Sequence, residues 1–289
     1  MSDFLILTDS SADLSAEQVR ELDVHVLPLS FLMAGRNCLD TPDHADMSIE
    51  SFYAQMDMGM SATTAAVNMG AYLDFLERES NGRDVLILSF SSGLSGTYQA
   101  SALAAEEFSR EHPGQKIYAV DTLSASLGQG LLVYYAAKLR ESGKSIDEVR
   151  TWVEENKLRL CHWFTVDDLI YLRRGGRVST ATAVVGTMLQ IKPVMHMDNA
   201  GHLMLAEKAR GRKASLHAMI EHMAASADDP GEQVVFISHG AAREDAERVA
   251  EEVRSRFGTK EIVIGNIGPV IGAHTGPGVV ALFFLGNAR

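Results

Sequence analysis

Cysteine is nearly absent from this chain of 289 residues: there are two, Cys38 and Cys161, far apart and with no CxxC motif or Cys/His pairing around them. That excludes a disulfide framework and leaves no thiolate metal site, so no metal or other cofactor is expected, and a reducing cytoplasm is the simplest home. Long apolar runs are missing too. The run near the C-terminus, Val279 to Leu285, has seven residues, where a membrane-spanning helix needs roughly 20. Met1-Ser2-Asp3 leads straight into strand-like sequence, without the basic stretch and cleavage site of a secretory leader. Positive charge is scarce as well: 26 basic against 38 acidic side chains leave a formal net charge of −12. Bulk charge therefore speaks against nucleic acid as a partner and allows at most transient membrane contact. No repeat of 20–50 residues, no low-complexity linker, no G-x-x-x-x-G-K-[ST] loop and no strand-linked G-x-G-x-x-G is present.

What is present alternates. Phe4–Asp9, Asp84–Phe90 and Lys116–Asp121 read as apolar strands buried on both faces, and Ser95–Phe108, Gly128–Glu141 and Ser145–Asn156 read as helices. Ser145-Ile146-Asp147-Glu148 has the capping-box pattern. Such alternation predicts an α/β unit with a parallel sheet covered by helices. The second half differs in texture. Strand candidates at Cys161–Val166, Ile191–Met197, His202–Ala206, Val234–Ser238, Glu261–Ile264 and Val279–Leu285 mix with helices at Arg212–Ala227 and Ala242–Phe257, and Asp198-Asn199-Ala200-Gly201 looks like a hairpin turn. A second α/β unit with a mixed or antiparallel sheet is expected, with a soft division that gives domains of 1–156 and 157–289.

Charge divides along the same line. Residues 1–155 hold 24 acidic and 10 basic side chains, a net of −14, and the remainder hold 14 acidic and 16 basic, a net of +2. Most of the basic excess lies in Arg173-Arg174-Gly175-Gly176-Arg177 and Lys208-Ala209-Arg210-Gly211-Arg212-Lys213. A solvated face explains such runs, and so does a docking surface for a phosphate or an acidic partner.

Three segments could carry chemistry. Phe90 to Gln99 follows a strand and opens a helix, so free N–H groups at Gly96 and beyond, with the Ser95 hydroxyl, suit an anion; simple capping suits the same residues. Gly93-Leu94-Ser95-Gly96 is one residue short of the hydrolase elbow G-x-S-x-G. Ile267 to Gly278 is glycine-rich and holds His274 in what reads as a loop, as Ser238-His239-Gly240 holds His239 at a strand end. Thr63 and Thr64 place two hydroxyls in an apparent loop before a helix. Met56, Met58, Met60 and Met69 lie close to them in sequence, either as ordinary core or as flexible lining for an apolar ligand.

Together these segments resemble the DegV family, the fatty-acid-binding subunits (FakB) of the bacterial two-component fatty acid kinase. The resemblance runs from Leu7-Thr8-Asp9-Ser10-Ser11-Ala12-Asp13-Leu14 through Ser91–Gln99, Leu172-Arg173-Arg174-Gly175-Gly176-Arg177-Val178-Ser179, Ile191-Lys192-Pro193-Val194 and Lys208-Ala209-Arg210 to Ile267–Gly278. It implies two α/β domains with a long-chain fatty acid buried between them. Thr63, Ser95 with Gly96, and His274 would hold the carboxylate, and Arg177 and Arg210 would dock the kinase subunit. The protein would be a carrier that catalyses nothing alone. One departure stands out: Thr63-Thr64-Ala65-Ala66-Val67-Asn68 replaces the family's Thr-Ser-Gln-Pro-Ser, which makes Thr64 the alternative ligand. Two other readings remain. A serine hydrolase would use Ser95 as nucleophile and His274 as base with Asp9 or Asp121 behind it; an accessory module for a sugar kinase would need more polar pocket residues than these.

Overall fold

The chain, as a computed structural model, is described for residues 4–178, 190–287 and 289; Ser179 of the arginine-rich motif lies outside the described residues. Phe4–Asp9 (β1), Asp84–Ser89 (β6) and Ile117–Asp121 (β7) join His25–Leu27 (β2) in a parallel sheet of order β2-β1-β6-β7. Their near-continuous apolar runs are what a sheet covered on both faces requires. Met69–Glu79 (α3), Thr97–Glu111 (α4), Leu127–Glu141 (α5) and Ile146–Asn156 (α6) cover it. The capping box at Ser145 and Glu148 forms in both directions, and a second one, at Ser15 and Gln18, opens the short helix Ala16–Glu21 (α1).

Every strand of a second, six-stranded sheet comes from the second half. Its order is β10-β9-β8-β13-β11-β12, built from Leu160–Thr165 (β8), Ile191–Met197 (β9), Leu203–Arg210 (β10), Val234–His239 (β11), Glu261–Asn266 (β12) and Val280–Leu285 (β13). Only β11 and β12 pair in parallel, so the sheet is mixed, and Asp198–Gly201 makes the turn between β9 and β10. The chain is therefore an α/β protein of two sheet-centred parts. Period-two alternation divides the mixed sheet cleanly. Val280, Leu282 and Phe284 pack with Leu216, Met219 and Val249 under Arg212–Ser226 (α8) and Arg243–Phe257 (α9), while Ala281 and Phe283 face the parallel-sheet side and its core.

Two elements differ from the sequence reading. Ser30–Met33 (β3), Arg36–Leu39 (β4) and Ala62–Ala65 (β5) form a small antiparallel sheet of order β4-β3-β5. Thr63 and Thr64 are thus in a strand, opposite Leu32 and Phe31, and not in a loop. The glycine-rich segment contains a helix, Pro269–Thr275 (α10), with His274 in its last turn. Phe31, Met33, Phe52, Tyr53, Met56 and Ala273 form a separate core that seals Ile49–Asp57 (α2) and α10 against this sheet.

Candidate functional site

Ligand crevices in open parallel sheets lie beyond the carboxyl ends of the strands, and a mostly apolar cavity here obeys that rule. The loops leaving β6 and β7 contribute Phe90, Ser95, Gly96 and Ser126, and the facing side of the mixed sheet contributes His162, Phe164 and Phe283. Its volume is about 160 Å³, where a single water occupies on the order of 10–15 Å³ on the same measure. Leucine, isoleucine, valine, alanine and phenylalanine make up most of the wall. Its polar lining residues include Ser126, His162 and Thr275, and contacts tie others into a cluster: Thr64 bonds His274, which packs on Gly175, and Arg177 bonds Gly175 and Leu94, the neighbour of Ser95 and Gly96.

That cluster is built with an incomplete set of partners. His274 Nε2 lies 2.9 Å from Thr64 Oγ1, while its Nδ1 is buried without a partner against Gly175, where any Cβ would strike the ring. Burial, reinforced by the Arg177 charge, lowers the His274 pKa to about 4. The imidazole is neutral near pH 7, and the fixed charge of the site comes from Arg177. Arg177 is half-buried: Nε donates to Leu94 O at 3.1 Å and Nη1 to Gly175 O. Ser95 Oγ pairs with Thr97 Oγ1 at 2.9 Å and accepts from Thr97 N at 3.3 Å. Gly96, not Ser95, is the residue that opens α4, and the backbone N–H groups there face forward.

The opposite end of α10 is anchored by residues that the sequence did not single out. Gly268 N donates to Asp13 Oδ1 at 2.9 Å, Val270 N donates to Asp40 Oδ2 at 3.2 Å, and Tyr53 Oη donates to Ile267 O at 3.0 Å. Ser126, which also lines the cavity, donates to Asp13 Oδ2 at 2.5 Å. Burial, with the Asp40 charge adding to it, pushes the Asp13 carboxyl well above the usual range; burial raises Asp40 too. Asp13 lies within the Leu7–Leu14 motif, four residues past the end of β1, and that position was its signal in the sequence.

The expected residues are brought together unevenly. Thr64, Ser95, Gly96, Arg177 and His274 all line the cavity. Thr63 is exposed on the other face of β5 and lines an adjoining recess. Arg210 is exposed at the end of β10 and lines neither space. His239 is buried, accepts from Ala242 N at 3.4 Å at the start of α9, and stays outside the cavity wall. The methionines near Thr63 do not line it: Met56 is core, Met58 is 70% exposed, and Met197 supplies a thioether from β9.

A hydrolytic triad is not assembled. Ser95 bonds to Thr97 and His274 to Thr64, so no Ser–His pair exists. Asp9 is spent on Ser11 and on Phe90 N (2.9 Å), and Asp121 on Ser92 N and Leu123 N (both 3.1 Å), which leaves the imidazole without an acid. Among the described residues no group of three or more His, Cys, Asp or Glu is placed to hold a metal, and no helix is long and apolar enough to cross a membrane.

A mostly apolar cavity whose wall also carries hydroxyls, imidazole and one guanidinium defines a small-ligand-binding α/β protein suited to an amphiphile with an anionic end. Residues 3–287 match the family described as "Uncharacterised protein, DegV family", and the chain belongs to it. A DegV domain-containing protein of Clostridium perfringens is 44% identical over 290 residues, covering 100% of this chain and 99% of the relative. A solved DegV family protein of Thermus thermophilus, described by its fatty acid binding, is 29% identical with a TM-score of 0.85, over 97% of this chain and 98% of that one. The Streptococcus pneumoniae fatty acid kinase (Fak) B3 protein, loaded with linoleic acid, shares the fold at a TM-score of 0.85 and 21% identity, with 99% of each chain covered.

Proposed function

We propose that this protein is a carrier that buries the tail of a long-chain fatty acid in the cavity and presents its carboxylate to a separate ATP-dependent kinase subunit. The observation that carries the reading is a mostly apolar cavity whose wall includes Ser95 and a cluster of Thr64, Arg177 and His274. Burial at about 0.8 kcal/mol per CH₂ gives a tail of about 16 carbons a gross gain on the order of 10 kcal/mol, before ordering costs. The tail therefore supplies most of the affinity and the head group fixes the register.

Thr64, on the inner face of β5, takes the carboxylate in preference to Thr63. With His274 Nε2–H donating to Thr64 Oγ1, the threonine's own proton is free for the ligand. Ser95 and the N–H groups at Gly96 supply further donors, and Arg177 balances the charge. In the kinase complex a carboxylate oxygen attacks the γ-phosphorus of ATP. The bond from that phosphorus to ADP breaks, ADP leaves with the electron pair, and no proton is needed. Arg210 and the outer side of the Arg173–Arg177 turn form the docking face for the kinase. We place the division between the two domains at residue 156 and the protein in the cytoplasm, with no catalysis in the isolated subunit.

Gentle organic extraction of the purified protein followed by mass spectrometry tests this. One equivalent of fatty acid is expected. A clean protein that also refuses added fatty acid contradicts the reading.

A further inference from the structure

A second recess, of about 250 Å³, adjoins the first and shares its wall: Thr64, Arg177 and His274 line both. Beyond that wall its lining changes character. Ser61 and Thr63 add hydroxyls, Tyr171 adds a phenol, Arg174 adds a second guanidinium, and among the described residues no carboxylate contributes. Two cations without an acid, in a chain with a net charge of −12, mark a local preference for an anion. Arg174 makes no hydrogen bond or ion pair with the described residues, so its donors are uncommitted; it ends the short helix Ile170–Arg174 (α7), whose capping residue Gly175 packs against His274.

We propose that this recess holds the phosphoryl group of the acyl phosphate, an inference that rests on the carrier reading above. Phosphorylation leaves the tail unchanged and lengthens only the head. A group added to a carboxylate lodged at Thr64, Arg177 and His274 must project across that shared wall, away from the apolar cavity. The new group carries more negative charge than the carboxylate did. Arg177 faces both spaces and serves both forms, whereas Arg174 and Thr63 lie only on the recess side and distinguish the product from the substrate. A planar guanidinium suits the oxygen pair of a phosphoryl group through two parallel hydrogen bonds.

The test compares a long-chain fatty acid with its non-hydrolysable acyl phosphonate, in which CH₂ replaces the bridging oxygen, by calorimetric titration of the full chain after delipidation. In Arg174→Ala the ratio of phosphonate to fatty acid affinity is expected to fall about tenfold or more, as loss of a charge-assisted pair implies. Arg174→Lys recovers part of it, and Arg254→Ala, which removes an exposed cation on α9 that lines neither space, leaves the ratio unchanged. Phosphonate affinity also falls more steeply with salt than fatty acid affinity. Fatty acid binding with an unaltered ratio in Arg174→Ala overturns the inference and leaves the carrier reading standing. Inorganic phosphate binding to the fatty-acid-loaded protein, with no advantage for the phosphonate, overturns it in favour of a free anion. A wild-type protein that binds neither lipid removes both.

Discussion

The two ends of α10 are made from opposite materials. Its N-terminus is held by the deeply buried Asp40 and Tyr53 and the partly buried Asp13, whose oxygens bond backbone or Ser126. Its C-terminal turn carries His274, which has one partner, one orphaned ring nitrogen and, nearby, a guanidinium that pairs with carbonyls but with no carboxylate among the described residues. Buried groups that satisfy one another fix a helix in place; buried groups left short of partners invite a ligand. The difference teaches that the anchor and the site are separate structures joined by a seven-residue helix.

The largest expected break comes at the anchor. Asp13→Ala strands Gly268 N–H, while the Ser126 hydroxyl keeps Ser238 Oγ at 3.0 Å, a loss of about 2 kcal/mol, or roughly 4–8 °C in Tm for a chain of this size. Calorimetric melting checks it, and an unchanged Tm contradicts the anchoring role. The two ends should next separate by pH. His274 has a folded pKa below its unfolded value, so its stability contribution is complete above about 6.5 and is lost as pH falls towards 4, when the unfolded chain takes up a proton that the folded chain declines. That loss is on the order of 1.5 kcal/mol by pH 5.5, and the delipidated His274→Gln variant lacks it. Asp13 has the opposite sign: with its folded pKa raised, stability is greatest below about 3.8 and declines as pH rises above that value. Denaturant melts across pH 4.5–7.5 should therefore give difference curves of opposite slope for His274→Gln and Asp13→Asn.

At the site end, Thr64→Val should leave Tm nearly unchanged and lower turnover by the kinase about tenfold, the value of one hydrogen bond to a charged group. Tail retention should fall less than threefold. Thr63→Val should affect fatty acid retention less than Thr64→Val does. Ser95→Ala is expected to have the smallest effect, a severalfold loss of kinase turnover with retention intact; equal losses in both assays contradict the division of labour between tail and head.

Much of the scaffold was legible because its signals are local. The long apolar strands β1, β6 and β8, the capping box of α6 and the turn at Asp198–Gly201 each need only neighbouring residues to declare themselves. The small sheet was not legible. Arg36-Asn37-Cys38-Leu39 and Ala62-Thr63-Thr64-Ala65 are four residues long and lack a β-rich pattern, and they exist as strands because β3 lies between them. The helix α10 includes Pro269 and Gly272, and tertiary hydrogen bonds from Asp13, Asp40 and Tyr53 hold it against its weak propensity. Of the candidate head-group residues, Ser95 and His274 could be read from their segments. The choice between Thr64 and Thr63 depended on which face of β5 is turned inward, and a strand that is not recognised has no faces.

Carbon-13 NMR of a carboxyl-labelled fatty acid bound to the protein tests the central claim most directly. The account predicts one bound resonance, shifted from that of the free acid and ionised to below the ordinary carboxyl range. In Arg177→Ala the titration should move upward, and in Thr64→Val the resonance should change position. A bound carboxyl that titrates like the free acid and ignores both substitutions would place the head group elsewhere and contradict the account.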